Sequence, residues 1–340
     1  MATLKDIARA LDMSITQVSR ALNGHSDVNE ETRLRVKETA RRMNYHPNML
    51  ARKLVSGRSG MVGLVVPQHP NIGQDGIFLE VVAGLSANFS GRGMQFVLHI
   101  TGQDEPVLPV YQKLIGKAML DGFVLIDPLD QDPRVAFLRK AGIPFVVHGR
   151  IGEAPDYPYF DIENQQLAFD LTSHLAARGH RRIAFLNGVA GRSYVTVRER
   201  GYRAALAQAG LTPDPRLHIH APMDEANGLT AAVRMFSDGG PRPTAIVCGN
   251  VRLARGVYQA LAALGLSIPG DVSVVAHDDH LPALRASAFF PALTVTKAPL
   301  RESWEPLADC LAGAIDGRPL DQLQRVGRFE FIARNSVSSI

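Results

Sequence analysis

From Met61 onward, short apolar runs rich in Val, Ile, Leu and Phe alternate with longer stretches of helical periodicity. A continuous apolar run suits a strand covered on both faces, and parallel strands buried in that way need helical crossovers between them. MVGLVVP (61–67), QFVLHI (95–100), GFVLID (122–127) and IPFVVHG (143–149) predict one sheet. RRIAFLNG (181–188), HIHA (218–221), AIVCGN (245–250) and VSVVAHD (272–278) predict a second. LTVTK (293–297) offers one more strand, followed by a helix over 299–316 and a last strand near 329–333. Two doubly wound parallel-sheet lobes with late chain crossovers make a clamshell: an N-lobe of about 61–160 plus 293–322 and a C-lobe of about 161–292 plus 323–340. Ligands of such sheets bind at the carboxyl ends of the strands, here in the cleft between the lobes.

The first 45 residues follow a different rhythm. Apolar positions recur at helical spacing in three bursts: Leu4, Ile7, Ala8 and Leu11 behind a capping Thr3; Val18, Ala21 and Leu22 behind Ser14; Val36, Ala40 and Met43 behind Asn29. Only Asp12 and Met13 separate the first two, and so short a connection makes helices cross steeply, which is helix-turn-helix geometry. With Val18, Ala21 and Leu22 facing the bundle, Ser14, Ile15, Thr16, Gln17 and Arg20 occupy the outer face of the second helix, where a DNA-reading helix meets the major groove. A merely polar helix surface is the plainer reading of the same residues. Pro47 stops the third helix, and residues 48–55 have room for about two turns, marginal in water without DNA or a partner chain to support them. The expected layout is an all-α helix-turn-helix domain over 1–46, a hinge helix and linker over 47–60, and the α/β core over 61–340.

Charge separates head from core. Of the 37 Lys/Arg and 33 Asp/Glu that give a net charge of +4, 11 and 6 fall within residues 1–60, so the head carries +5 and the remainder −1. A basic head on a neutral body is the distribution expected of a nucleic-acid-binding protein. No apolar run approaches the roughly 18 residues of a membrane span, and MATLKDIARAL lacks a signal peptide's cleavage region, so a cytoplasmic protein is expected. Two cysteines, Cys248 and Cys310, supply neither a disulfide framework nor a thiolate metal cluster. No G-x-S-x-G, H-E-x-x-H, P-loop or paired-Cys motif occurs, and neither enzymatic activity nor a cofactor is expected. The run His277-Asp278-Asp279-His280 hints at a metal, but neighbours on an extended strand point to opposite faces, and no metal is assigned.

LKDIARALDMSITQVSRALNG, VNEETRLRVKETARRMNYHPNMLARKLVSG and MVGLVVP are followed further along by RGHRRIAFLNG, RERGYRAAL, PGDVSVVAHDD and FPALTVTKAPL. In this order and spacing the chain resembles, over essentially its whole length, the LacI/GalR family of bacterial transcription regulators. The resemblance implies a helix-turn-helix head on a periplasmic-binding-protein-like core, a homodimer, and a pseudopalindromic operator, bound most often as a repressor and tuned by a small molecule. It sets Ile15 and Thr16 at variable base-reading positions and Arg20 at one that often reads guanine. It makes phosphate contacts of Ser19, Asn23, Asn29, Thr32 and Tyr45, and a minor-groove wedge of Leu54 within LARKL. The plainer alternatives are caps or plugs of the bundle for the polar residues, and burial on the core for Leu54. Gln17 departs from the family, which commonly has Thr there. Ile15 has no hydrogen-bonding side-chain atom and can pack only on something apolar, such as a thymine methyl. The chain ends just past its last strand without a heptad-bearing tail, so assembly beyond a dimer is not expected.

In the core, His148-Gly149-Arg150 closes one strand, Asp161 lies in the crossing segment YFDIEN, Arg198 begins a helix, and Asn250 and Asp278 close two further strands; all of these places point toward the cleft. Two carboxylates, an amide and two guanidinium groups suit vicinal sugar hydroxyls, which donate and accept at once. An anionic ligand would sit poorly against the carboxylates. The resemblance sets Arg198, Asn250 and Asp278 at effector positions and Phe78 at an aromatic one beside the ligand, with Arg150 and Asp161 less closely matched. Taken singly, strand-end Asp and Arg also cap helices or bridge lobes. Met223 lies where relatives often carry an aromatic, and Val251 where Asp is usual. The core most resembles regulators of sugar uptake, those for α-glucosides among them, so the expected effector is a sugar. A purine or nucleoside is the alternative effector, and a sugar-binding transport protein, the alternative of another class, is disfavoured by the basic head and by the missing signal peptide.

Overall fold

A computed structural model describes residues 2–22, 27–45, 58–68, 76–102, 105–116, 120–240 and 242–340. The chain divides into two compact units, Met1–Gly60 and Met61–Ile340. In the first, Thr3 Oγ1 accepts from Asp6 N at 3.3 Å while Asp6 Oδ2 accepts from Thr3 N at 2.9 Å, a reciprocal cap that opens α1 (Leu4–Leu11). Such a cap stabilises a helix by about 1 kcal/mol. Asp12, left-handed at φ 52°, ends α1 and turns the chain into α2 (Ile15–Leu22). Asn29 opens α3 (Glu30–Arg42) by accepting from Thr32 N at 2.8 Å. Ile7, Ala8, Val18, Ala21, Val36 and Ala40 are buried between the three helices, the stripe that the spacing predicts.

The second unit alternates strand and helix: β1 (Met61–Val66), α4 (Gly76–Gly91), β2 (Gln95–Ile100), α5 (Val107–Gly116), β3 (Gly122–Leu125), α6 (Pro133–Lys140), β4 (Phe145–His148) and β5 (Tyr159–Ile162). It continues with α7 (Asn164–Ala176), β6 (Ile183–Asn187), α8 (Ser193–Gln208), β7 (His218–His220), α9 (Glu225–Ser237), β8 (Ala245–Cys248), α10 (Val251–Ala263) and β9 (Ser273–Asp278). After β10 (Thr294–Lys297) come α11 (Trp304–Ile315), β11 (Gln324–Gly327) and β12 (Glu330–Ile332). One sheet runs β11-β5-β4-β3-β1-β2 and is parallel throughout. The other runs β12-β10-β9-β8-β6-β7 and is parallel except at β12. Pleating sends Leu64, Val124 and Val146 into the core under α4 and α11, and Val65, Phe123, Leu125 and Val147 to the opposite face, where a second core holds Val110 and Tyr111 of α5 and Leu138 of α6. Both faces are covered, which is why the strands read as unbroken apolar runs.

The crossovers differ from the expected boundaries. β10 belongs to the C-lobe sheet, with Val295 opposite Ala276 and Thr296 opposite His277, and its Thr294, Val295 and Thr296 are fully buried there. β11, which the sequence reading lacked, pairs with β5 in the N-lobe, Arg325 opposite Phe160. The N-lobe is therefore built from 61–162 and about 300–327, and the C-lobe from 164–297 and 330–340. The hydrogen-bonding register, which an apolar pattern does not specify, assigns each late strand to its lobe. Strand order reverses between β1 and β3 in one sheet and between β6 and β8 in the other. Both reversals open a crevice at the strand carboxyl ends, where doubly wound folds hold ligands.

Candidate functional site

In the head, the outer face of α2 is set by the buried pair Val18 and Ala21 on its inner face. Ser14, Thr16, Gln17 and Arg20 are exposed, Ile15 is 48% exposed, and Ser19 is half-buried. Gln17 Oε1 accepts from Ser14 N at 3.0 Å and from Ser14 Oγ at 3.1 Å, and Gln17 N donates to Ser14 Oγ at 3.1 Å. Gln17 thus has a local role, since a shorter side chain such as Thr could not reach back and close this cap. Arg20 pairs with Asp27 at 3.1 Å, both about half-exposed, a contact cheap enough to exchange for a base or phosphate. Asn29 and the Thr32 amide are engaged with one another as the cap of α3, and half-buried Tyr45 packs against the bundle core. Both observations match the plainer reading of these residues; the helix N-terminus that Asn29 caps still offers its dipole to a phosphate. Asn23 and Leu54 lie outside the described residues.

Between the lobes of the second unit lies a cavity of about 1020 Å³. This is near the upper end of the roughly 300–1,000 Å³ usual for ligand pockets. Its apolar walls include Phe78, Ile126, Phe160, Tyr194 and Met223. Its polar edge is a ladder that crosses from lobe to lobe. Arg150 Nε donates to Asp161 Oδ2 at 2.8 Å, Asn164 Nδ2 donates to Asp161 Oδ1 at 2.9 Å, Arg198 Nε donates to Asn164 Oδ1 at 2.7 Å, and Arg198 Nη1 donates to Gly249 O at 2.8 Å. Asp161, Asn164 and Arg198 line the cavity and are buried. Burial pushes the Asp161 carboxyl up, with Arg150 opposing, and pushes the Arg198 guanidinium down, with Asp279 opposing. The Arg198 guanidinium also lies 5.2 Å from the centre of the Tyr194 ring.

Several expected site residues take other places. Arg150 does not line the cavity; it braces Asp161, faces Glu163 at 3.4 Å and lies over the Tyr159 ring. Asn250 lines the cavity with its amide committed: Oδ1 caps α10 by accepting from Leu253 N at 2.9 Å, and Nδ2 donates to Met223 O at 3.1 Å. Asp278 is buried, accepts from His280 N at 2.7 Å and is absent from the cavity lining, whereas its neighbour Asp279 lines it. The strand pleat that argues against a metal at 277–280 is the reason that only one of the two carboxylates faces the cleft. Phe78 lies on the cavity wall. The sequence reading missed Asn164, the first residue of α7, and Asp279, while His148, named there at its strand end, also lines the cavity. Burial holds the His148 imidazole down at about 4, with Asp279 opposing, so it is neutral near pH 7.

A second set of contacts closes one side of the cleft. Arg192 Nη1 donates to Asp127 O at 3.0 Å and its Nε faces Asp127 Oδ2 at 3.2 Å, while Thr196 Oγ1 donates to Asp130 Oδ2 at 2.6 Å. These contacts join the N-lobe loop after β3 to the first turns of α8, the helix that carries Arg198.

Comparison with known proteins gives both units a counterpart. Residues 3–48 match the domain described as bacterial regulatory proteins, lacI family, and residues 172–337 match a periplasmic binding protein-like domain. The HTH-type transcriptional regulator AglR of Rhizobium meliloti (strain 1021) is 36% identical over 334 residues, covering 98% of this chain and 93% of its own length. The HTH-type transcriptional regulator RafR of Escherichia coli is 36% identical over 277 residues, 81% of each chain. Among solved structures, a transcriptional regulator CelR–cellobiose complex superposes with a TM-score of 0.72 at 27% identity, covering 99% of this chain and 100% of that one. With an exposed reading helix, a two-lobed core and relatives alike along nearly the whole chain, the protein belongs to the LacI family of bacterial regulatory proteins.

Proposed function

We propose that the protein is a sequence-specific transcription regulator, acting as a repressor, whose operator affinity is set by a small carbohydrate held between the lobes of the core. The observation that carries this reading is the cleft's buried ladder of Asp161, Asn164 and Arg198 with Asp279 nearby. Carboxylates accept from sugar hydroxyls, a guanidinium donates to them, and an amide does both, so one ligand diol finds partners for both of its roles. The CelR relative solved with cellobiose supports the same class of effector, and the cavity is roomy enough for a small oligosaccharide.

On the DNA side, Ile15, Thr16 and Arg20 read bases from the exposed face of α2, while Ser14 and Gln17 hold its first turn. A homodimer presents two such helices to a pseudopalindromic site. Effector control follows from the ladder's position. It joins β5 of the N-lobe to α7 and α8 of the C-lobe, so a ligand that binds one lobe arrangement better than another shifts the population between them.

The test is fluorescence anisotropy of purified protein on labelled DNA from its own upstream region, titrated with a panel of α- and β-glucosides, galactosides and purines. A change in DNA affinity with one sugar class supports the reading and fixes the sign of the coupling. Specific DNA binding that responds only to a purine would replace the effector; no specific DNA binding would refute the regulator.

A further inference from the structure

On the outer edge of the C-lobe sheet, His218 and His220 stand two apart on β7 and so share one face, opposite Glu199 of α8. Among the described residues this is the one cluster of His, Cys, Asp and Glu with three donor atoms within 4.8 Å of one another. His218 Nδ1 lies 3.5 Å from Glu199 Oε1 and His220 Nε2 lies 3.7 Å from Glu199 Oε2. These gaps are wide for hydrogen bonds. They are close to the separation of about 3.4 Å between ligand atoms set tetrahedrally around a cation with bonds of about 2.0–2.1 Å.

The surroundings orient His220 and Glu199 by hydrogen bonds and His218 by packing alone. His220 Nδ1 lies 3.0 Å from Gly188 O. Donation to that carbonyl places the proton on Nδ1 and leaves the Nε2 lone pair facing Glu199, the arrangement by which a backbone carbonyl orients a metal-binding imidazole. His218 is held by ring packing, 5.5 Å from Phe185 at 14° and 5.9 Å from Tyr202, and its Nε2 is buried without a hydrogen-bond partner. Arg203 donates to Glu199 Oε1 at 2.8 Å and fixes the carboxylate. The side chains are 9%, 30% and 25% exposed for His218, His220 and Glu199, so the open side of the cluster admits an ion and a water.

We propose that Glu199, His218 and His220 form a binding site for a divalent transition metal ion, Zn²⁺ or a neighbour of similar radius, with water completing the coordination. Two imidazoles and one carboxylate favour Zn²⁺, Co²⁺ and Ni²⁺ over Mg²⁺ or Ca²⁺, which prefer all-oxygen shells. The site is separate from the sugar cleft but backs onto it. Glu199 follows Arg198 in α8, and β7 leads directly to Met223 on the cavity wall, so an ion here fixes α8 against the edge strand from behind the ladder.

The test uses full-length, untagged, chelator-treated protein and Co²⁺ as the probe. The expected result is one Co²⁺ per chain with a Kd below about 100 μM, the intense visible absorption of a four-coordinate ion, and displacement by equimolar Zn²⁺. Glu199→Gln and His220→Asn should each weaken binding at least about tenfold while their metal-free melting temperatures stay near that of the parent. If either variant melts early, His218→Gln takes its place in the comparison. Binding weaker than that limit, or binding that survives loss of the cluster's ligands, overturns the proposal.

Discussion

Arg198 Nε donates to Asn164 Oδ1 at 2.7 Å, joining the first residue of α7 to the middle of α8 beneath the ligand cleft. One turn beyond Arg198 in α8, Gly201 makes that approach possible, because a Cβ there would lie 2.1 Å from Gln165 O. Gly201→Ala should push the two helices apart and cost about 1–3 kcal/mol in urea unfolding. It should also weaken sugar binding through the misplaced guanidinium. Asn164→Ala should cost a similar amount, because a buried charged donor loses its partner. Unfolding midpoints and calorimetric sugar titrations of the two variants check this, and parent-like values in both would separate the ladder from ligand binding.

Ile15 stands 48% exposed at the start of α2 with Val18 and Ala21 buried behind it. Its replacement should therefore alter what the helix reads while leaving what holds the helix. Ile15→Asn is expected to leave the melting temperature within a degree or two and to change preference at one operator base pair by about 1–3 kcal/mol, from an apolar contact toward adenine. Selection from a randomised operator library reads this directly. An unchanged preference would place Ile15 outside the groove.

The parts of the molecule legible in the sequence are those where one physical effect dominates. Apolar runs covered on both faces announced the strands, and Val18 and Ala21 announced the inner side of α2, because burial alone sets both patterns. β11 escaped because Gln324, Arg325, Val326 and Gly327 form an edge strand with little to bury. Which lobe took β10 depended on pairing with β9, a long-range choice between two sheets of like composition. In the cleft, Arg198 and Asp161 were legible as charged groups in segments that the strand pattern brings to the cleft. Asp279 and Asn164 were not, since each is one pleat or one helical residue away from an equally plausible neighbour. The His-Ile-His of β7 read as a strand and nothing more, because its carboxylate partner comes from a different element.

The depressed His148 gives the core a pH dependence of known sign. An imidazole that titrates near 6.5 when unfolded is held at about 4 by burial in the folded protein. Between those values the unfolded chain binds a proton that the folded chain refuses, so the stabilisation is complete above about pH 6.5 and is lost as pH falls toward 4. At about pH 5 the loss attributable to this one group is at most about 2 kcal/mol. Urea unfolding at pH 7 and pH 5 should show a larger drop for the parent than for His148→Asn. Equal drops would mean that His148 is freely protonated in the folded state.

Asp279 lines the cavity from the C-lobe, opposite in charge to Arg198 and close to two histidines. His277 Nε2 lies 3.4 Å from its Oδ1, and although burial raises the carboxyl, His277, Arg198 and His148 together hold it below the usual carboxylate range. It is therefore ionised wherever the protein is folded near neutral pH, and it offsets the buried positive charge of Arg198. Asp279→Asn keeps the shape and removes the charge. The expected outcome is a loss of sugar affinity of at least about tenfold, as a hydroxyl loses a charge-assisted partner, together with a lower melting temperature from the less compensated guanidinium. DNA binding without sugar should be retained, because the head folds around its own core of Ile7, Val18 and Val36. Anisotropy on operator DNA with and without sugar separates the two effects. A variant that still answers sugar at the parent's concentration would remove Asp279 from the ligand's partners.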